Sequence, residues 1–467
     1  MKLLNKKKEP CHWWGSFGFD FFGFFDMLDR MLRAFKKMIP AAWLLPYHAV
    51  LSWLAAIIYG HPSEKLIVIG VTGTNGKTTT AYLTTKILES SGLPAGCITT
   101  ALLKIGKREW LNDLKMTMPG RFQLQKLLRQ MVRAGCRYAV VETSSQGIVQ
   151  HRHSGINYDV AIFTNLTPEH IEAHGGFENY KQAKIQLFRH TARGRRKTIE
   201  GERIPKIAIL NGGDKHARDF AVAGFDQVHF YGQVKELKSE AWRSSFNYQG
   251  RKFALNLPGR FNVENALAAI TAAECLGLDL DQASRALAGI QQVPGRFEKI
   301  EQGQPWTVIV DYAPEPKSLA SLYQALKLIP HKRLIHVLGS CGGGRDVARR
   351  PILGRLAGQT ADLVVVTNED PYDDDPEVIM EQVAAGARQV GKEQGKSLWV
   401  VKDRYQAILK AMQMAKAGDL VLLTGKGSEQ AICVAHGKKI PWDERAAARR
   451  AIDAVLVYAV VRCIIGQ

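Results

Sequence analysis

The sequence has no C-x-x-C pair anywhere in its 467 residues, and its seven cysteines (Cys11, Cys97, Cys136, Cys275, Cys341, Cys433 and Cys463) are odd in number and widely scattered. That spacing argues against a zinc ribbon or a disulfide frame, so reduced thiols packed in cores are expected. Low-complexity tracts are also missing. With 46% hydrophobic and 23% charged residues, the chain reads as globular and is long enough for two or three domains with full cores. Acidic residues are the scarcer sign, 44 against 63 basic. The net charge of +19 suits an anionic partner, whether nucleotide, phosphorylated substrate, acidic lipid or nucleic acid, without choosing among them.

Charge is absent altogether from Met38 to Ser63. Pro40, Pro46 and His48 interrupt that run, which leaves Tyr47 to Tyr59 as the better helix. Before it stand Lys6, Lys7 and Lys8, an aromatic patch (Trp13, Trp14, Phe17, Phe19, Phe21, Phe22, Phe24, Phe25), and Arg30, Arg33, Lys36 and Lys37. No small-residue cleavage site follows, which argues against a removed signal peptide. Two readings stand for residues 1–62: an interfacial membrane anchor, or a helix packed on the next domain. Met27, Met31 and Met38 are alternative starts, each of which would leave the whole aromatic patch outside the native chain.

What is present begins with Gly70-Val-Thr-Gly-Thr-Asn-Gly-Lys-Thr-Thr-Thr80, a glycine-rich turn between the apolar run Leu66–Ile69 and a helix-like stretch from Thr78 to Ser91. Glycines let backbone N–H groups approach phosphate oxygens, and a helix N-terminus adds partial positive charge. Lys77 would face the β- and γ-phosphates and the Thr78 hydroxyl a Mg²⁺ ion. The strict pattern wants glycine where this chain has Val71; Gly70 lies one place earlier. Apolar runs recur at Leu66–Ile69, Tyr138–Val141, Val160–Phe163 and Ile207–Leu210 between helix-like stretches, which predicts a mainly parallel sheet with ligands at its carboxyl ends. Glu142, after the second run, is a carboxylate at a strand tip, where a metal contact is useful.

After the third run come Thr164-Asn-Leu-Thr-Pro-Glu-His-Ile-Glu-Ala-His-Gly175 and the stretch Phe177 to Phe188. Together with the loop and Glu142-Thr-Ser-Ser-Gln146, these four motifs in this order resemble the Mur ligases, the ATP-dependent amino-acid-adding enzymes of peptidoglycan synthesis. The likeness is strongest to the step that adds the third residue to UDP-MurNAc-dipeptide. It implies an α/β fold: a central P-loop ATPase domain (63–295) and a Rossmann-like C-terminal domain (296–467), behind a short apolar helical N-terminus (1–62). The second sheet is expected from Val308–Val310, Leu334–Leu338, Leu363–Val366, Leu398–Val401 and Leu420–Leu423. The resemblance covers roughly 63–445, and the family's N-terminal UDP-binding domain has no counterpart in the short stretch before the loop.

The resemblance also implies the site. Gly73, Thr74, Asn75, Gly76, Lys77, Thr78, Thr79, Asn262, Arg296 and Asp311 would bind ATP. Thr78, Glu142, His174 and a carbamylated Lys184 would hold Mg²⁺, with two ions expected, and Lys77, Lys184 and Arg296 would carry the chemistry. Nearby cations, by lowering the lysine pKa, would supply the neutral amine that carbamylation of Lys184 needs. His170 reads equally as a packing histidine and is left out. Arg345 would grip the amino acid's α-carboxylate, with Glu369, Asp370, Tyr372 and Glu429 around it, and Thr117, Ser144 and Ser145 would meet the acceptor. Three departures stand out: Pro314 in Asp311-Tyr-Ala-Pro314, Ser428 in Gly425-Lys-Gly-Ser-Glu429, and Tyr372 where diaminopimelate-adding enzymes carry arginine. Without that arginine, and with Glu369 and Asp370 beside it, the site would meet an ammonium, so lysine or ornithine is the expected amino acid. The expected location is the cytoplasm, with residues 1–62 a possible contact to the inner membrane face, and no specific nucleic acid is expected. Other readings are a folylpolyglutamate- or cyanophycin-type ligase, a P-loop switch or nucleic-acid-stimulated ATPase, and a degenerate binding protein.

Overall fold

A computed structural model describes residues 44–465 apart from 170 and 233. The basic and aromatic stretch 1–43 and His170 lie outside the described residues. The first element is helix α1, Leu44–Ile58. It starts before the expected Tyr47 because Pro46 falls in its first turn, where a missing N–H breaks no intrahelical bond. One face, with Leu51, Ser52, Ala55 and Ala56, is buried; Val50, Trp53 and Ile57 on the other are exposed. Ser52 Oγ donates to the His151 carbonyl at 2.6 Å, and Arg121 Nε donates to that of His48 at 3.0 Å, fixing the helix to the next domain. No helix among the described residues is long and apolar enough to cross a membrane.

The central sheet uses β1 (Ile67–Thr72), β2 (Ala95–Ile98), β3 (Leu102–Ile105), β4 (Arg108–Leu111), β5 (Tyr138–Glu142), β6 (Val160–Phe163), β7 (Ile207–Asn211) and β8 (Gln227–Tyr231). Its order is β8-β7-β6-β1-β5-β2-β3-β4, with the pairs from β8 to β2 parallel and the last two antiparallel. The apolar runs are continuous because each strand is buried on both faces. Ile67, Ile69 and Val71 point into one core with helices α2 (Lys77–Glu89) and, later in the chain, Arg260–Cys275; Leu66, Val68, Val141 and Phe163 point into the other with α3 (Arg121–Arg133) and α4 (Phe177–Arg193). Each such aliphatic side chain contributes about 1.5–3 kcal/mol when fully buried, so polar side chains are displaced to the strand ends. A small antiparallel sheet between residues 235 and 255 has no counterpart in the sequence reading.

After helix α5 (Arg260–Cys275) and α6 (Leu280–Gly289), the chain enters a second sheet: β9 (Glu298–Ile300), β10 (Thr307–Val310), β11 (Leu334–Leu338), β12 (Leu363–Thr367), β13 (Leu398–Val401) and β14 (Leu420–Leu423). The order is β9-β10-β14-β11-β12-β13, parallel except for β9. Here too alternate residues feed two cores: Ile309, Val364 and Leu422 on one side, Val310, Val337 and Leu423 on the other. All five expected strands are found. The one revision at the loop concerns Gly70, which lies inside β1 rather than in a turn: a Cβ there would sit 2.9 Å from the Tyr158 ring. It serves helix-to-strand packing, so the turn begins only after Thr72.

Candidate active site

The carboxyl ends of both sheets open into one cleft of about 810 Å³. Register brings its first wall together: Val71 of β1 pairs with Glu142 and Thr72 with Phe163, so the chain leaves β1, β5 and β6 at one level. The loop is then held by its neighbours. Thr74 N donates to the Asn165 carbonyl (2.8 Å), Asn75 N to Asn165 Oδ1 (2.9 Å), and Thr164 Oγ1 to the Asn75 carbonyl (2.7 Å). Gly76 has φ +81°, and a Cβ on it would lie 2.2 Å from Asn265 Oδ1, so both backbone and space demand glycine. No side chain caps α2, which leaves its first N–H groups directed at the cleft as anion donors.

Lys77, the first residue of α2, is half-buried and donates to the Thr74 carbonyl at 2.6 Å. Burial lowers its pKa, opposed by Glu142 and Glu169. Thr78 Oγ1 donates to Glu142 Oε2 at 2.9 Å and accepts from Arg296 Nη2 at 3.1 Å. Glu142, 2% exposed, also accepts from Thr100 N (2.7 Å) and Thr100 Oγ1 (3.1 Å), and no cation pairs with it among the described residues. Lys184 on α4 is fully enclosed; its Nζ donates to the Gly73 carbonyl at 2.7 Å and lies 4.4 Å from the Tyr180 ring centre. Burial, then the charge of Lys77, holds its amine well below the ordinary lysine value. His174 Nε2 is 3.2 Å from Ser145 Oγ, and burial and Lys184 lower its pKa. Ser144 is already engaged as a helix cap, its Oγ accepting from Gly147 N at 3.1 Å.

The opposite wall comes from the C-terminal sheet. Arg296 lies 4.4 Å from the Tyr312 ring, and its buried Nε has no hydrogen-bond partner. The peptide that follows is held by Asp311, which accepts from Phe297 N (2.7 Å) and Ala313 N (2.9 Å), and Phe297 has φ +49°. Burial raises the Asp311 pKa against the pull of Arg296. Asp370 accepts from Lys426 Nζ and Lys115 Nζ, each at 2.8 Å, and from Cys433 N at 2.7 Å. Glu429 meets Lys115 and, at 3.0 Å, Lys426. Tyr372 adopts φ +52° with its ring against Gly343. Arg349 is ion-paired with Glu315.

Every residue predicted for the site lines this cleft except Gly73 and Glu369. Glu369 is turned into the domain, 2% exposed, and accepts from Cys341 Sγ at 2.8 Å. Asn262 lines the cleft while donating to the Pro258 carbonyl at 2.8 Å. Sequence reasoning missed Thr100, Lys115, Glu169 and Asn265. Glu169 sits within the Thr-Pro-Glu-His run, accepts from Asn75 Nδ2 at 3.1 Å, and has its pKa raised by burial. For Lys115 the only signal was its place two residues before Thr117.

Magnesium fits this wall on its donor chemistry: the Thr78 hydroxyl and the Glu142 carboxylate, buried and without an ion pair among the described residues, meet there as oxygen donors. Comparison with known proteins agrees with the architecture. The family model of the Mur ligase middle domain matches residues 71–273, and that of the Mur ligase glutamate ligase domain matches 295–427. The UDP-N-acetylmuramyl-tripeptide synthetase of Roseiflexus sp. (strain RS-1) is 39% identical over 89% of this chain and 84% of its own. The UDP-N-acetylmuramoyl-L-alanyl-D-glutamate–2,6-diaminopimelate ligase of Geobacillus kaustophilus is 36% identical over 90% and 86%. A solved ligase of the latter name has a TM-score of 0.54 at 30% identity, covering 83% of this chain and 78% of its own. Folylpolyglutamate synthase of Mycobacterium tuberculosis, at 18% identity and TM-score 0.64 over 86% and 96%, shares the fold. The two matched domains, and relatives aligned over nine-tenths of the sequence, establish that the chain belongs to the Mur ligase family of ATP-dependent ligases.

Proposed function

We propose that the chain joins a basic amino acid, L-lysine or ornithine, to the carboxylate of a muramoyl dipeptide, spending ATP through an acyl phosphate. The observation that carries this reading is the single cleft, with the phosphate loop, Glu142 and Lys184 on one wall and Arg345, Asp370 and Glu429 on the other. A phosphate donor and an amine acceptor site facing each other across one cavity suit ligation better than hydrolysis or a nucleotide switch, because both reacting partners are held at once.

In this reading Lys77, the free N–H groups of α2 and Arg296 bind the phosphates, and the carboxylate to be activated lies near Thr117, Ser144 and Ser145. Asn262 and Asp311 serve the nucleotide, the latter by fixing the backbone that aims Arg296. Thr78, Glu142, His174 and a carbamylated Lys184 would hold two Mg²⁺ ions, which supply charge neutralisation at the γ-phosphate. The depressed Lys184 pKa supports carbamylation, because only the neutral amine adds carbon dioxide. Little covalent chemistry falls to the protein; its residues orient the partners and keep water out. Arg345 receives the amino acid's α-carboxylate, and Tyr372 replaces the arginine that a second distal carboxylate would require. The hinge at Val293–Glu298 divides 63–295 from 296–467. The test is amide formation with ATP, UDP-MurNAc-dipeptide and a panel of amino acids: preference for diaminopimelate over lysine and ornithine sinks the substrate assignment, and no product with any amino acid sinks the ligase reading.

A second reading concerns location alone. The outer face of α1 exposes Val50, Trp53 and Ile57, and a basic, aromatic stretch precedes it in the sequence, a combination suited to an anionic membrane surface.

A further inference from the structure

Among the described residues that line the cleft, Lys115 sends its side chain from the central domain to a carboxylate pair in the other. It sits in the loop between β4 and α3, with φ +56°, and its side chain is 4% exposed. Its Nζ lies 2.8 Å from Asp370 Oδ2 and against Glu429 Oε2. Lys426, from the same domain as the two acids, lies 2.8 Å from Asp370 and 3.0 Å from Glu429. The buried group therefore holds two carboxylates and two ammoniums. Without Lys115 one negative charge is left over, and a buried charge demands a partner. Burial disfavours the Lys115 charge, but Glu429 and Asp370 outweigh it and hold the ammonium above the ordinary lysine value.

Its own loop leads to the other wall. Two residues on, Thr117 Oγ1 accepts from Thr100 Oγ1 at 2.9 Å, and Thr100 also binds Glu142. Lys115 thus stands between the place proposed for an anionic acceptor and the pair proposed for an amine.

We propose that Lys115 gates the amine subsite: in the empty enzyme its ammonium occupies the Asp370–Glu429 pair as a stand-in for an ammonium of the incoming amino acid, and the acceptor's negative charge draws it away before the amino acid enters. This rests on the ligase reading for the identity of acceptor and amino acid. The gate also ties the two domains together through a salt bridge, so the empty cleft stays narrow. Amino acid and Lys115 are mutually exclusive at the pair, which makes amine binding depend on the acceptor.

The experiment compares the full-length protein with Lys115→Met, which keeps the stem and removes the charge, and with Lys115→Arg, which keeps a cation. L-Lysine is titrated calorimetrically into each, without and with UDP-MurNAc-dipeptide and a non-hydrolysable ATP analogue. Wild type and Lys115→Arg should bind L-lysine weakly alone and at least tenfold tighter with the acceptor. Lys115→Met should bind about tenfold tighter than wild type without acceptor and gain nothing from it. Small-angle X-ray scattering of the ligand-free proteins reads the tie without any substrate, and Lys115→Met should shift to a larger radius of gyration. In unmutated protein, UDP-MurNAc-dipeptide, which has no free amine, should speed acylation of Lys115 by a lysine-selective reagent, a measurement independent of how any variant folds. Unchanged L-lysine affinity and an unchanged radius of gyration in Lys115→Met overturn the gate, as does Lys115 labelling that the acceptor leaves untouched. An opened Lys115→Met in an enzyme that turns over neither lysine nor ornithine supports the tie and removes the substrate reading; a closed one in an enzyme that uses lysine does the reverse.

Discussion

The two walls of the cleft treat buried charge in opposite ways. On the wall of the phosphate loop Lys77, half-buried, and Lys184, fully buried, donate to backbone carbonyls, with lowered pKa values and no ion pair among the described residues. On the opposite wall Lys115 is paired with Asp370 and Glu429 and Arg349 with Glu315, and behind them Lys426 pairs with the same two acids and Arg404 with Glu444, while Glu369 accepts from Cys341 Sγ. Under-compensated cations are costly to bury, so a wall of them is built to receive anions that arrive with the substrate. A balanced wall has no such vacancy. It accepts a charged ligand only by exchange, which sets binding by displacement on one side of the cleft against binding by neutralisation on the other.

The contrast breaks most visibly at Lys77. Lys77→Ala should cut ATP-dependent amide formation by at least about 10²–10³-fold while circular dichroism and thermal melting remain near wild type. Product at the wild-type rate would falsify its role in phosphate binding. Lys184→Ala should cost about 10²-fold and should abolish a carbamate carbon signal in ¹³C NMR after incubation with labelled bicarbonate. The same signal sharpens the electrostatics. Because burial and Lys77 lower the Lys184 pKa, its amine is neutral where an ordinary lysine, at 10.5, is still protonated. Carbamate should therefore persist as pH falls below 10.5 and disappear only on passing the lowered value; loss already near 10.5 would remove the depressed amine from the comparison.

A smaller effect is expected at the hinge, where the walls meet. Asp311→Asn keeps one acceptor oxygen but cannot serve both Phe297 N and Ala313 N, so about 1–3 kcal/mol of stability should be lost, with kcat reduced because Arg296 is less well aimed. A denaturant titration and steady-state kinetics on the same sample check both parts. The least effect is expected outside the cleft: Trp53→Ser should leave turnover unchanged and stability within about 0.5 kcal/mol, while reducing co-sedimentation of the full chain with anionic phospholipid vesicles. Equal sedimentation of variant and wild type would remove the membrane reading.

Much of this was readable beforehand, and unevenly. The runs at Leu66–Ile69 and Leu420–Leu423 announce doubly buried strands because no polar residue is tolerated on either face. The loop at Gly73–Thr79 and the strand-tip Glu142 follow from that reading, since they sit immediately after such strands. Glu369 was expected at the amino acid and instead turns toward Cys341, because one residue's difference in position along an extended segment exchanges cleft for core. Gly70 was assigned to the turn and lies in the strand under Tyr158, a contact made across 88 residues of chain that local pattern does not encode.

The sequence by itself determined the fold class, the phosphate loop and a core set of positions that line the cleft, because burial periodicity and motif order are properties of neighbours along the chain. Only the tertiary structure decided which charges meet. Lys115 faces Asp370 and Glu429 across more than 250 positions, Arg296 reaches Thr78 across 218, and Lys184 is enclosed by a loop 111 residues before it. Coulombic energy depends on distance and on exclusion of water, and neither exists until the two sheets have closed on one cleft.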